Sequence, residues 1–151
     1  MSKEIERKFL VKGEFKHLAI KEMEITQGYL SIDHVRVIRL RMCDEKSFLT
    51  IKAPVENARF ARNEWEYEIP SSEAGEIMNL CLPGRIHKTR YVVPFSDHHF
   101  EVDMFHGRHE GLIIAELELT GEDEFFDRPE WLGEEVTGRP EYYNSYLIKE
   151  N

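Results

Sequence analysis

The chain has 151 residues and 17.9 kDa, the size of one folded unit and enough to bury a hydrophobic core without disulfides. It carries 20 Lys and Arg against 29 Asp and Glu, a formal net charge of −9, which argues against a nucleic-acid binder relying on a basic surface. No apolar run reaches the ~20 residues of a membrane helix, and the charged N-terminus Met1-Ser2-Lys3-Glu4 is no secretory leader. Cys43 and Cys81 form no CxxC, so reduced thiols in a cytoplasmic protein are expected.

In chain order the dominant signal is alternation of period two, the pattern of strands. Residues 4–11 alternate first. Residues 24–32 and 35–42 follow, joined by the tight link Asp33-His34, and 47–52 come after the Asp44-Glu45 turn and end at Pro54. A polar loop over 55–61 leads to a strand over 62–69, closed by Pro70. Pro70-Ser71-Ser72-Glu73 reads as the cap of a helix reaching about residue 80, with Pro83-Gly84 as its stop. Strands over 86–93 and 100–105 flank a Ser96-Asp97-His98-His99 turn, and the last covers 112–120. The acidic run 122–127 is expected as a solvated loop, 128–132 as a turn, and 140–149 as a C-terminal helix. Tyr142, Tyr143 and Tyr146 on that helix either pack on the sheet or plug one end of it. No linker divides residues 1–151, so one domain is expected.

Which residues alternate matters more than that they do. Glu4, Glu6 and Lys8 share one face of the first strand, Arg39 and Arg41 of the third, and Lys52 ends the fourth. Arg62, Glu64, Glu66 and Glu68 follow, then Lys88 and Arg90, Glu101 and Asp103, and Glu116 and Glu118. The opposite faces are mostly apolar, among them Phe9, Leu40, Trp65, Val102 and Leu117. A merely solvated face would mix in Ser, Thr, Asn and Gln, whereas these positions are nearly all Glu, Lys or Arg. The pattern therefore predicts an α+β fold in which eight antiparallel strands close into a barrel, a tunnel with a charged interior and a few surrounding helices. Small barrels normally fill with apolar side chains, and burying charge is costly unless the charges pair or hold a ligand. Cations suit a polyanion with several phosphates, Arg through its bidentate fork. Carboxylates join such a ligand through hard divalent cations, Mg²⁺ or Mn²⁺.

These residues, in this order, resemble the CYTH family, the triphosphate tunnel metalloenzymes. Glu4-x-Glu6-x-Lys8 resembles its ExExK signature, Arg39-Leu40-Arg41 its RxR strand, Ile51-Lys52 its strand lysine, and Glu64-Trp65-Glu66-Tyr67-Glu68 its glutamate-rich strand. Lys88-Thr89-Arg90 resembles the KxR strand, Glu101-Val102-Asp103 the aspartate strand and Glu116-Leu117-Glu118 the closing ExE strand. Tyr142-Tyr143-Asn144-Ser145 is similar to the C-terminal helix of short bacterial members. The resemblance implies one divalent cation on Asp103, Glu116 and Glu118, and a second on Glu4 and Glu6 that activates water. It implies a phosphate-binding set of Lys8, Arg39, Arg41, Lys52, Lys88 and Arg90, with Lys8 also in the catalytic trio Glu4, Glu6 and Lys8. Glu66 and Glu68 are assigned to support, orienting cations or holding a metal through water. Arg62 and Glu64 are expected at the rim or in structural pairs, and Glu101 as a balance for nearby cations.

The implied reaction is metal-dependent hydrolysis of inorganic triphosphate to diphosphate and phosphate by activated water. The alternatives are an organic triphosphate enzyme (thiamine triphosphatase, nucleoside triphosphatase or class IV-type adenylate cyclase) and a non-catalytic polyphosphate- or nucleotide-binding module. Few aromatics share the tunnel parity, which favours the inorganic substrate. The histidines at 98, 99, 106 and 109 fall at turns and are expected on the surface rather than on zinc. Helices are too few to cover the apolar outer faces, so a homodimer packed through sheet surface is expected.

Overall fold

The computed structural model describes residues 2–150. Eight long strands carry the alternation: β1 (Ser2–Val11), β2 (Lys21–Asp33), β3 (Arg36–Cys43), β4 (Lys46–Pro54), β5 (Ala61–Ile69), β6 (Ile86–Phe95), β7 (His98–Phe105) and β8 (Ile113–Leu119). All neighbours are antiparallel, in the order β5-β4-β3-β2-β6-β7-β8-β1, and β1 then pairs with β5. That pairing, of residues 2–5 with 61–64, closes the sheet into an eight-stranded barrel, and β3 sits four strands from β8 in either direction. Among the described residues no helix is long and apolar enough to cross a membrane.

The apolar faces mostly point outward, and those of β1, β6, β7 and β8 are covered. Phe9, Val93, Phe100, Val102, Ala115, Leu117 and Leu119 from β1, β6, β7 and β8 are buried against Phe15, Phe126, Trp131 and Leu132. This cluster supplies the hydrophobic core that the charged lumen does not. Over β3 and β4 lies the longest helix among the described residues, α1 (Ser71–Met78), with Ala74 fully buried. A second apolar cluster sits across the bore, where Tyr29, Val37, Ile86, Phe105 and Ile114 meet Leu147 and Ile148. The C-terminal segment thus seals one end of the barrel.

Several boundaries differ from the sequence reading. A ninth strand, β9 (Leu132–Glu135), pairs with β1 on the edge that β5 leaves open, with Phe9 opposite Glu135 and Val11 opposite Leu132. A Cβ on Gly133 would lie 2.8 Å from the Leu10 carbonyl oxygen, so only glycine allows that approach. The expected helix over 140–149 is broken into a 3-10 turn (Pro140–Tyr142), α2 (Asn144–Leu147) and a second 3-10 turn (Ile148–Glu150). Tyr143 is extended at φ −75° and ψ 135°, and this break turns Asn144 into the bore. His98 and His99 lie in β7 rather than in a turn, and His98 Nε2 is 2.7 Å from Glu124 Oε2. Among the described residues no group of three or more His, Cys, Asp or Glu is arranged to hold a metal, and both cysteines are free.

Candidate active site

Register decides which charges meet. In the antiparallel pairs, Glu4 stands opposite Arg62, Lys8 opposite Glu116, Lys52 opposite Glu64 and Arg90 opposite Asp103. Two pairs are of like charge: Glu6 faces Glu118, and Glu101 faces Glu116. Like charges directly opposite destabilise a sheet, so this corner of β1, β7 and β8 is held at a cost.

The inward side chains enclose a cavity of about 230 Å³. Glu4, Glu6, Lys8, Arg39, Arg41, Lys52, Glu66, Lys88, Arg90, Glu116 and Glu118 all line it. Arg62, Glu64 and Glu101 line it as well, the first two in the expected pairs, Arg62 with Glu4 and Glu64 with Lys52, each at 3.6 Å. Asp103 is not in the lining; it is 1% exposed and lies behind Lys88 and Arg90. Glu68 is exposed and outside the cavity. Further inward side chains, among them Gln27, Tyr29, Thr50 and Asn144, are uncharged, and the charged signature could not single them out. Their signal is parity alone, Gln27 and Tyr29 on β2 and Thr50 two residues before Lys52.

Acids and bases are unevenly matched. Lys52 Nζ donates to both oxygens of Glu4 at 2.8 and 2.9 Å and lies 3.6 Å from Glu64. Arg90 forks onto Asp103 at 2.7 and 2.9 Å, donates to Glu116 at 3.0 Å and lies 3.3 Å from Glu101. Lys88 Nζ is 2.7 Å from Asp103. Burial raises the carboxyls of Asp103 and Glu116, but Arg90 and Lys88 at Asp103, and Lys8 and Arg90 at Glu116, outweigh it and both end below the usual range. At Glu4, Lys52 likewise overcomes burial.

The remaining groups are poorly compensated. Burial, then Glu116 and Glu4, pushes the Glu6 carboxyl well above its ordinary value, and burial followed by Glu4 raises Glu118. On the opposite wall, burial and the neighbouring charges of Arg39 and Arg90 bring Arg41 down to about 10. Its Nε donates to Gln27 Oε1 at 3.2 Å. Arg39 donates through its Nη2 to Thr50 at 3.2 Å and lies 3.5 Å from Glu66, while its buried Nε has no partner. An orphaned buried guanidinium N–H on a residue that lines a cavity is a place for an anion.

Only oxygen donors crowd the acidic corner, and that set fits a hard divalent cation rather than zinc. Since among the described residues no three acids are gathered to grip an ion alone, substrate oxygens would have to complete its shell, which is how Mg²⁺ is commonly held. The cavity opens past Glu4, Glu6, Lys8, Arg62, Tyr143 and Ser145 into a second chamber of about 400 Å³ that adds His34, Arg59, Phe60, Tyr146 and Lys149. The aromatics of this chamber lie on the β4–β5 loop and the C-terminal segment, away from the strand pattern.

A family model described as the CYTH domain matches residues 2–145. An inorganic triphosphatase of Acetivibrio thermocellus is 46% identical over 151 residues, covering 99% of this chain and 95% of its own length. An inorganic triphosphatase of Nitrosomonas europaea is 34% identical over 148 residues, covering 95% of each chain. A solved structure of an inorganic triphosphatase superposes with a TM-score of 0.64 at 33% identity, covering 95% of this chain and 96% of that one.

Proposed function

We propose that this chain, which belongs to the CYTH family, hydrolyses inorganic triphosphate to diphosphate and phosphate with the help of a divalent cation. The observation that carries the reading is the opposition of two walls: Arg39 and Arg41 on β3 face Glu116 and Glu118 on β8 across the full width of the ring. A polyphosphate alone would suit the first wall and be repelled by the second. The two walls together suit a polyphosphate carrying divalent cations on one side.

CYTH triphosphatases depend in general on divalent metal, and Mg²⁺ or Mn²⁺ is the choice consistent with an all-oxygen donor set. Glu6, Glu116 and Glu118 would hold it, with Glu4 and Asp103 joining if Lys52 and Arg90 turn toward the substrate. When bound, such an ion neutralises phosphoryl charge and lowers the pKa of water. Lys8, Arg39, Arg41, Lys52, Lys88 and Arg90 bind and orient the three phosphates, and their fixed positions stabilise charge on the leaving diphosphate. Glu4 and Glu6 line the cavity at the acidic corner and would orient the attacking water there. Glu66 supports the clamp through Thr50 Oγ1, which donates to it at 2.7 Å and receives Arg39 at 3.2 Å.

The size of the main cavity supports an inorganic substrate, because about 230 Å³ is below the ~300–1,000 Å³ usual for organic ligands. The second chamber, with Phe60, Tyr143 and Tyr146, favours an organic triphosphate as the second reading. We include in the proposal a cytoplasmic homodimer associating through the outer face of β5, where Tyr67 stays 57% exposed. Phosphate release from tripolyphosphate, thiamine triphosphate and ATP, each with Mg²⁺ or Mn²⁺ and with excess chelator, tests the function. Tripolyphosphate is expected to turn over fastest and chelator to abolish turnover. Preference for an organic triphosphate would favour the second reading, and binding without turnover would demote the protein to a sensor.

A further inference from the structure

The sealed end of the bore presents an uncharged polar side chain to the phosphate-binding cations. Asn144 opens α2, and its Oδ1 accepts from Lys88 Nζ at 2.9 Å and from Gln27 Nε2 at 3.0 Å. Gln27 is fully buried and passes the contact on, its Oε1 accepting from Arg41 Nε at 3.2 Å and its Nε2 also donating to the Tyr29 hydroxyl at 3.2 Å. One side-chain oxygen is therefore tied to a cation on β6 directly and to a cation on β3 through one intermediary.

The backbone that carries Asn144 is pinned on several sides. Leu147 and Ile148 are buried in the apolar cluster at the end of the bore, and His109 Nε2 lies 2.9 Å from the Leu147 carbonyl oxygen. Gly84, at φ +97°, lets Ile148 approach so closely that a Cβ there would sit 2.5 Å from its carbonyl oxygen. The position of Oδ1 is thus fixed by packing. Lys88 needs this, because a lysine has a flexible four-carbon stem and Asp103 pulls its ammonium from behind at 2.7 Å. Without a second acceptor the ammonium would settle on Asp103, away from the cavity.

We propose that Asn144 is a positioning residue for triphosphate hydrolysis, holding Lys88 directly and Arg41 through Gln27 where the reacting phosphates need them. The inference rests on the proposed triphosphatase reading. Preorganised donors count most in the transition state, so the effect belongs mainly in kcat. A neutral amide is the suitable group, since a carboxylate would hold both donors equally well but repel a polyanion.

The test is a pair of variants assayed on tripolyphosphate, with thermal melting as a control. Asn144→Ala removes the acceptor and is expected to lower kcat about tenfold or more while KM changes less than about threefold. Asn144→Asp keeps both acceptor contacts and adds a charge; it is expected to recover kcat to within about threefold of wild type while KM rises at least about fivefold. A residue that merely anchors the C-terminal segment would not produce this split. Wild-type kcat in the alanine variant, or a kcat loss that Asp fails to recover, would overturn the inference while leaving the triphosphatase reading intact. If Asn144→Ala melts early, Gln27→Met, which cuts the Arg41 link and leaves the segment in place, must still lower kcat; wild-type kcat there would also overturn it. A wild-type protein inert on tripolyphosphate would overturn the reading itself and this inference with it.

Discussion

Glu6→Gln is expected to make the metal-free protein more stable and the enzyme nearly inactive. Glu6 stands across from Glu118 and near Glu116 and Glu4, and its carboxyl is raised well above the ordinary 4.5 by burial and then by Glu116 and Glu4. Two unit charges about 4 Å apart interact by ~4 kcal/mol at an effective dielectric of about 20. Much of that is already avoided, because Glu6 can keep its proton and Lys8 offsets part of the repulsion. What Gln relieves is then about 0.5–2 kcal/mol, the usual gain from correcting one unfavourable charge, or roughly 1–8 °C in Tm for a chain of this size. The gain has a pH signature. A carboxyl with a raised folded pKa keeps its proton in the folded protein after the unfolded chain has lost it. Wild-type stability therefore falls as pH climbs from 4.5 toward the raised value and stays at the lower level above it. Gln lacks this loss, so the advantage of the variant is near zero at pH 4 and grows as pH climbs toward 8 and the raised value. Melting in excess chelator across that range measures it, and phosphate release at saturating substrate and metal should fall more than about tenfold, a barrier increase above ~1.4 kcal/mol. A variant less stable than wild type at pH 8, or one with unchanged turnover, would refute the role assigned to Glu6.

Arg39→Ala and Arg41→Ala should each raise KM and lower kcat on tripolyphosphate, since the clamp acts in ground and transition states; a change in only one parameter would contradict a shared clamp. Burial brings Lys88 down to about 8, so kcat/KM, which reports the free enzyme, should decline above about pH 8 as the ammonium loses its proton. The plateau of kcat should extend further into alkali, because the bound polyanion holds the proton on. A flat kcat/KM to pH 10 would count against Lys88 as a phosphate ligand. Sedimentation at micromolar concentration should give a dimer, and Tyr67→Glu on the outer face of β5 should shift it toward monomer.

The strand pattern was legible because alternation is local: each residue type declares its face within a few positions. Closure of the ring could be read from the charge on those faces, since Glu, Lys and Arg recur on seven of the eight strands where water would accept anything polar. Sequence alone did not reach the partners. Asp103 has the inward parity of a metal ligand, yet register places it between Lys88 and Arg90 and out of the cavity lining. Glu68 has the same parity as Glu66, but sits one step further along β5 and falls outside the lumen. The short β9 strand was hidden because Leu132-Gly133-Glu134-Glu135 has little strand propensity; it exists because β1 has an open edge there. The break at Tyr143 was hidden likewise, since Leu147 and Ile148 are drawn into the bore by residues distant in the chain.

The distribution of unbalanced charge gives the ligand its shape. Arg90 and Lys52 are spent on Asp103, Glu116 and Glu4. Among the described residues Glu66, 3.5 Å from Arg39, is the one acid paired with Arg39 or Arg41, which leaves positive charge in surplus on that wall and Glu6 and Glu118 in surplus on the other. A monovalent anion would satisfy the first wall only, and a free metal ion the second only. Each alone leaves the opposite surplus uncancelled in a buried space, where unpaired charge is most expensive. A metal–polyphosphate complex cancels both at once, so the protein should bind the two components with positive coupling, each raising its affinity for the other by the same factor. The outer apolar cluster around Phe9, Phe100 and Trp131 keeps the barrel folded while the lumen waits in this unbalanced state. Stability and recognition are thereby assigned to opposite faces of the same strands.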